Sequence, residues 1–170
     1  MTVTFERVRE LLDYDPATGA FTWRVAPSRS VKAGSRAGRI NGHGYRRIKI
    51  DRRLYQASRL AWLYMTGAWP AGEIDHINRI RDDERIANLR EATRREQEGN
   101  KGLQANNTSG NRGVYWHTQK WRWAAQIYTS GRNRHLGLFA TKEDAAAAYD
   151  AAAREHFGEF FNDAAERCAP

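Results

Sequence analysis

The sequence predicts an α+β protein in two parts. Three observations carry that reading. Along the first hundred residues, short strand-like runs are interleaved with short helical patterns. A polar stretch rich in Gly and Asn, residues 101–111, then interrupts the pattern. Beyond it come three strand-like runs and one alanine-rich helix.

Phe5, Val8, Leu11 and Leu12 recur at helical spacing, so residues 4–12 read as a short amphipathic helix. Asp15-Pro16-Ala17-Thr18-Gly19 is a turn, because Pro sets φ early and Gly accepts positive φ late. Residues 20–24 form a strand, and residues 25–43, rich in Gly, Ser and Arg, a loop. Tyr45, Ile48 and Ile50 mark a strand that turns at residues 51–53 and returns through Leu54-Tyr55-Gln56. Ser58 reads as the N-cap of a helix through Leu60, Ala61, Leu63 and Tyr64, which Gly67 and Pro70 end.

In the second part, residues 113–117, 121–128 and 134–139 are strands, with a turn at residues 129–133. Thr141 caps the closing helix, and Glu143 and Asp144 complement its dipole. Period-two alternation predicts that Trp121, Trp123, Ala125 and Ile127 pack on this helix. Arg122, Gln126 and Tyr128 then face outward. A three-stranded antiparallel sheet packed on one helix leaves an open face able to enter a DNA groove.

Charge and cysteine narrow the function. The net charge is +8. Residues 24–59 hold eleven cations against Asp51 alone, and residues 112–134 hold five and no acid. The acids gather instead in residues 142–166. Two basic zones imply two anion-facing surfaces, and Arg46 and Arg47 are expected on phosphates. One cysteine, Cys168, excludes an internal disulfide and a four-thiolate zinc site. With no membrane-length apolar run and no signal-peptide pattern at residues 1–7, an intracellular, reducing compartment is expected. A hydrophobic share of 41% with six Trp, seven Tyr and six Phe argues for a folded protein rather than a basic tail.

The densest chemistry lies in residues 73–100. Asp75 adjoins His76, Asn88 follows twelve residues later, and Thr93 opens a helix carrying Gln97 and Asn100 on one face. Hydrolysis of a phosphodiester needs a base, a cation and positioning of both. Histidine titrates near neutrality and suits the base. Asp plus an amide oxygen suits a hard divalent cation that keeps its waters. Asn88 can hold His76 in register across the turn.

Residues 45–100 resemble the HNH homing endonucleases of phages and mobile introns. Tyr55, Ser58-Arg59-Leu60-Ala61-Trp62, Ile74-Asp75-His76-Ile77-Asn78, Asp83, Arg85-Ile86-Ala87-Asn88-Leu89-Arg90, Ala92-Thr93 and Asn100 carry the resemblance. Leu12 through Gly19 and Phe21-Thr22-Trp23 also fit the N-terminal part of such proteins. Residues 108–162 resemble the DNA-binding domain of plant ethylene-response factors. The matching residues include Arg112-Gly113-Val114, Trp123, Ala125-Gln126-Ile127, Leu136-Gly137 and Glu143-Asp144-Ala145-Ala146.

These resemblances imply N-terminal β-hairpins and a ββα-metal nuclease core at about 73–102 within a domain of residues 1–104. A linker of 105–107 and a DNA-binding domain of 108–166 follow. His76 would be the general base, Asp75 a ligand of one divalent cation, Mg²⁺ or Mn²⁺, and Asn88 the orienting residue. Gln97 stands where relatives place His or Asn as the second ligand, and Asn100 is the alternative. Ser58 stands where relatives often carry His. The DNA-facing set would be Arg112, Tyr115, His117, Arg122, Gln126, Tyr128 and His135, joined by Arg132 and Arg134 of the basic zone. Trp116 and Trp121 are left between core and sugar-phosphate. The implied protein cuts double-stranded DNA in a bacterial host cell as a monomer. The alternatives are a non-catalytic DNA-binding protein and an RNA-binding basic protein.

Overall fold

The computed structural model describes residues 2–129 and 131–161. Ser130 of the expected turn and the lone Cys168 lie outside the described residues. Contacts divide the chain into two compact units, residues 1–93 and 94–170.

The first unit opens with α1, Phe5–Leu11, capped by the Thr4 hydroxyl, which accepts from the Arg7 amide at 3.2 Å. The expected helix stops one residue short, because Leu12 begins β1, Leu12–Asp15. This strand pairs antiparallel with β2, Ala20–Trp23. Its apolar residues, Leu12 and Tyr14, alternate into the core, so the strand hides at the end of a helical pattern. The loop expected at 25–43 is tied to β2. Trp23 donates to the Ser35 carbonyl at 3.0 Å and Ala37 to the Phe21 carbonyl at 2.7 Å.

That segment ends in β3, Arg39–Ile40, at the edge of a sheet ordered β3–β4–β5 with β4, Arg46–Ile50, and β5, Arg53–Gln56. The two-residue turn between β4 and β5 has φ of 46° at Asp51 and 67° at Arg52. Two positive φ values define a type I′ turn, normally Asn-Gly. Helix α2, Ala57–Thr66, follows without a break. Ser58 is therefore not its cap. It is the second helical residue and only 2% exposed, and Gln56 holds the cap position without a side-chain bond. The core of this unit gathers Val8, Leu12, Phe21, Ile48, Ile50, Leu60 and Leu63 from these elements.

Two strands complete the unit. β6, Glu73–His76, pairs antiparallel with β7, Leu89–Ala92, so Asp75 faces Arg90 and His76 faces Leu89. Residues 77–88 bridge them and end in a short 3-10 helix, Ile86–Asn88.

The second unit starts with α3, Arg94–Gly99. Its sheet runs β8, Val114–His117, β9, Arg122–Thr129, and β10, Arg132–Phe139, with β9 central and all pairs antiparallel. Helix α4, Lys142–Phe157, packs on the sheet with Ala145, Tyr149, Ala152 and Ala153 buried. Thr141 caps it through a 3.1 Å bond from the Asp144 amide. Trp123, Ala125 and Ile127 take the expected helix-side face, with Ala125 and Ile127 buried. Trp121 does not. It lies in the β8–β9 turn at φ 50° and is 78% exposed, because the strand begins only at Arg122.

Candidate active site and nucleic-acid surfaces

His76 ends β6 and is buried, with its Nε2 3.3 Å from Oε2 of Glu84. Glu84 is buried too, and burial pushes its carboxyl up, opposed by the imidazole. Sequence reasoning missed Glu84, because a third acid in Asp82-Asp83-Glu84 looks like a solvated loop. The turn between β1 and β2 fixes its place. Tyr14 donates its hydroxyl to the Glu84 carbonyl at 2.6 Å. Gly19, at φ 71°, packs so closely that a Cβ would lie 2.5 Å from the Arg85 nitrogen. Burial also raises the Tyr14 phenol, so it stays a donor.

Asn88 locks the loop that leaves His76. Its Oδ1 accepts from the Asn78 amide and its Nδ2 donates to the Asp83 carbonyl, both at 2.9 Å. Its own carbonyl accepts from the Ile77 amide at 2.9 Å. Asp83 is fastened by Arg85 and by the Asn78 amide group at 2.6 Å. Those bonds hold its carboxyl down to about 2, the Arg85 bond contributing most. Tyr45 walls the imidazole at 6.0 Å between ring centroids, with the Arg81 guanidinium 5.2 Å over the Tyr45 ring.

Asp75 points its Oδ2 at the Arg90 guanidinium across the hairpin, 3.0 Å from Nε and 2.9 Å from Nη2. Among the described residues no group of three or more His, Cys, Asp or Glu could hold a metal ion. The donor chemistry expected here, one carboxylate plus a neutral amide oxygen, fits a hard cation that retains waters. Gln97 is half-buried in α3 and Asn100 is buried just after it, both in the second unit.

The basic candidates divide sharply. Arg47 is exposed on β4, whereas Arg46 points inward with 7% exposure. Alternation along β4 puts Arg46 in the row of Ile48 and Ile50, 3.9 Å from Asp82. Burial lowers its guanidinium, and its Nε has no hydrogen-bond partner. Arg112 is half-buried and turned to its own backbone. It donates to the Gly99 carbonyl at 2.7 Å and the Glu98 carbonyl at 2.8 Å, capping α3.

Register sorts the sheet of the second unit. Arg122, Gln126 and Tyr128 alternate onto one face of β9. Their partners on that face include His117 opposite Arg122 and His135 opposite Gln126, while Tyr115 sits opposite Ala124. Six expected residues thus share the face away from α4. Arg132 and Arg134 do not, since they oppose Thr129 and Ile127 on the helix side. A groove of about 560 Å³ runs along the open face, between Tyr115, Gln126 and Tyr128 and the chain around Gln104–Thr108.

No helix among the described residues is long and apolar enough to cross a membrane. Residues 55–98 match the sequence model of a known family, the HNH endonuclease. No curated protein matches the chain. The matched segment spans β6, His76, the Asn88 loop and β7. The match points to a nuclease, a hydrolase of phosphodiester bonds that acts on DNA.

Proposed function

We propose that the chain is a divalent-metal-dependent endonuclease of the homing type, and that the β6–β7 hairpin carries its chemistry. The supporting observation is the fixed group of Asp75, His76, Glu84 and Asn88 inside or beside the matched segment. His76 takes a proton from the attacking water. With Glu84 ionised, Nε2 donates to the carboxylate and Nδ1 is the basic nitrogen. Asn88 keeps the backbone after His76 from drifting. One divalent cation, Mg²⁺ or Mn²⁺, would be held at Asp75, with an amide oxygen as the second kind of donor. When bound, it neutralises charge on the phosphorane.

Residues 1–104 would be the nuclease domain and 108–166 a recognition domain like that of the ethylene-response factors. Arg122, Gln126, Tyr128, Tyr115, His117 and His135 would meet DNA on the open sheet face. The protein would work as a monomer in a bacterial host cell.

The test is plasmid cleavage with Mg²⁺ or Mn²⁺, run beside a gel shift. His76→Ala should cut the rate by about 10²-fold or more and leave binding within a few-fold. Cleavage that survives the change removes His76 as base. The Asp75–Arg90 ion pair favours one other reading, a DNA-binding protein that has lost its metal. Binding without nicking at any metal concentration would select it.

A further inference from the structure

The β3–β4–β5 sheet of the first unit has two unlike faces. Ile48 and Ile50 line the inner one. On the outer one, Arg39 lies directly opposite Arg47, and Arg47 directly opposite Gln56. Lys49 lies opposite Leu54 in the next row. Directly opposed residues share a face, so Arg39, Arg47 and Lys49 stand together. All three are exposed. Among the described residues, no ion pair involves any of them.

This arrangement works against folding. Like charges directly opposed across strands lower stability. The adjoining turn adds strain, because Arg52 takes φ 67° where glycine is the easy choice. Arg52 is exposed at that tip, while Asp51, its acidic neighbour, is taken by Arg7 at 3.0 Å. Crowded cations on one sheet face, beside a strained tip whose one carboxylate is taken by Arg7, call for a polyanion as the missing counter-charge.

We propose that this outer sheet face is a second DNA-binding surface, holding the phosphate backbone of duplex DNA with Arg39, Arg47 and Lys49. The choice of duplex DNA rests on the reading of the chain as a DNA enzyme. The surface itself needs no cleavage.

The experiment measures affinity of the full chain for a random-sequence duplex across a salt series, in chelator so that no cutting occurs. The variant R39Q/R47Q/K49Q should flatten the plot of log affinity against log salt by about 2 to 3, near 0.9 per lost phosphate contact. It should weaken unrelated sequences equally and melt no lower than wild type, since repulsion is relieved. The variant R29Q/K32Q/R36Q, equal in charge but placed in the preceding loop, should change the slope less. If the triple variant does not fold, R47Q and K49Q singly should each lower the slope by about 0.9. An unchanged slope, or equal loss in the loop variant, overturns the proposal. Tighter binding of single-stranded RNA than of duplex DNA overturns the choice of partner. A protein that binds this way but never cuts keeps the surface and loses only the nuclease reading.

Discussion

A carboxylate beside an imidazole in a buried place costs desolvation, and Glu84 meets that cost with His76 as its partner. Under the proposed function its role is to orient the His76 ring. Glu84→Gln should lower the cleavage rate about 10- to 100-fold with DNA affinity unchanged, the size expected for a group that orients another. Glu84→Asp, which keeps the carboxylate, should recover part of that rate, and an equal loss in both variants would make Glu84 a packing residue only. Asp83 gives a separate test by pH. Arg85 and Asn78 favour its charged form in the folded chain, down to about 2 from an ordinary 3.8. Its stabilisation is therefore present above 3.8 and disappears as pH falls toward 2. Thermal melts of wild type and Asp83→Asn should differ near neutral pH and converge across that window. Asp75, His76 and Asn88 were visible in the sequence as candidates, because adjacency and spacing single them out. Glu84 was not, since its burial depends on Tyr14 and Gly19, far away along the chain.

At the scale of elements, the β1–β2 turn acts as a wedge against the segment around Glu84. Gly19→Ala would add a Cβ 2.5 Å from two backbone atoms at a φ of 71°. We expect a loss of about 1–3 kcal/mol in stability, read by denaturant melts. Cleavage should fall more steeply than binding, because the displaced atoms belong to Glu84 and Arg85. Most helices and strands were visible in periodicity and turn chemistry. The exceptions have physical causes. Leu11 and Leu12 continue a helical spacing across a helix end, so β1 was absorbed into α1. Ser58 has the right chemistry for a cap, but β5 runs straight into α2 and moves the start of the helix to Ala57. Trp121 fits the alternation of β9, yet the turn claims it at φ 50°. Local propensity does not show where pairing begins.

For the whole molecule, the net charge of +8 was a blunt guide. Two of the cations it counts, the buried Arg46 and the half-buried Arg112, are turned to the protein itself. Strand register separates them from Arg47 and Arg122, and register comes from pairing rather than from composition. The two surfaces should therefore behave differently. Arg122→Ala or Gln126→Ala should change which sequences are preferred by about 1–3 kcal/mol at individual base pairs, as a selection experiment would read. The turn of the first unit has one more consequence. The family match begins at residue 55, but the hydroxyl that anchors Glu84 belongs to Tyr14, 70 positions before that glutamate. Residues 55–98 transplanted into another scaffold would carry His76 and Glu84 without the hydroxyl that anchors the Glu84 carbonyl. The boundary of the family match and the boundary of the packing that holds Glu84 fall at different places in this chain. Any graft should begin no later than α1.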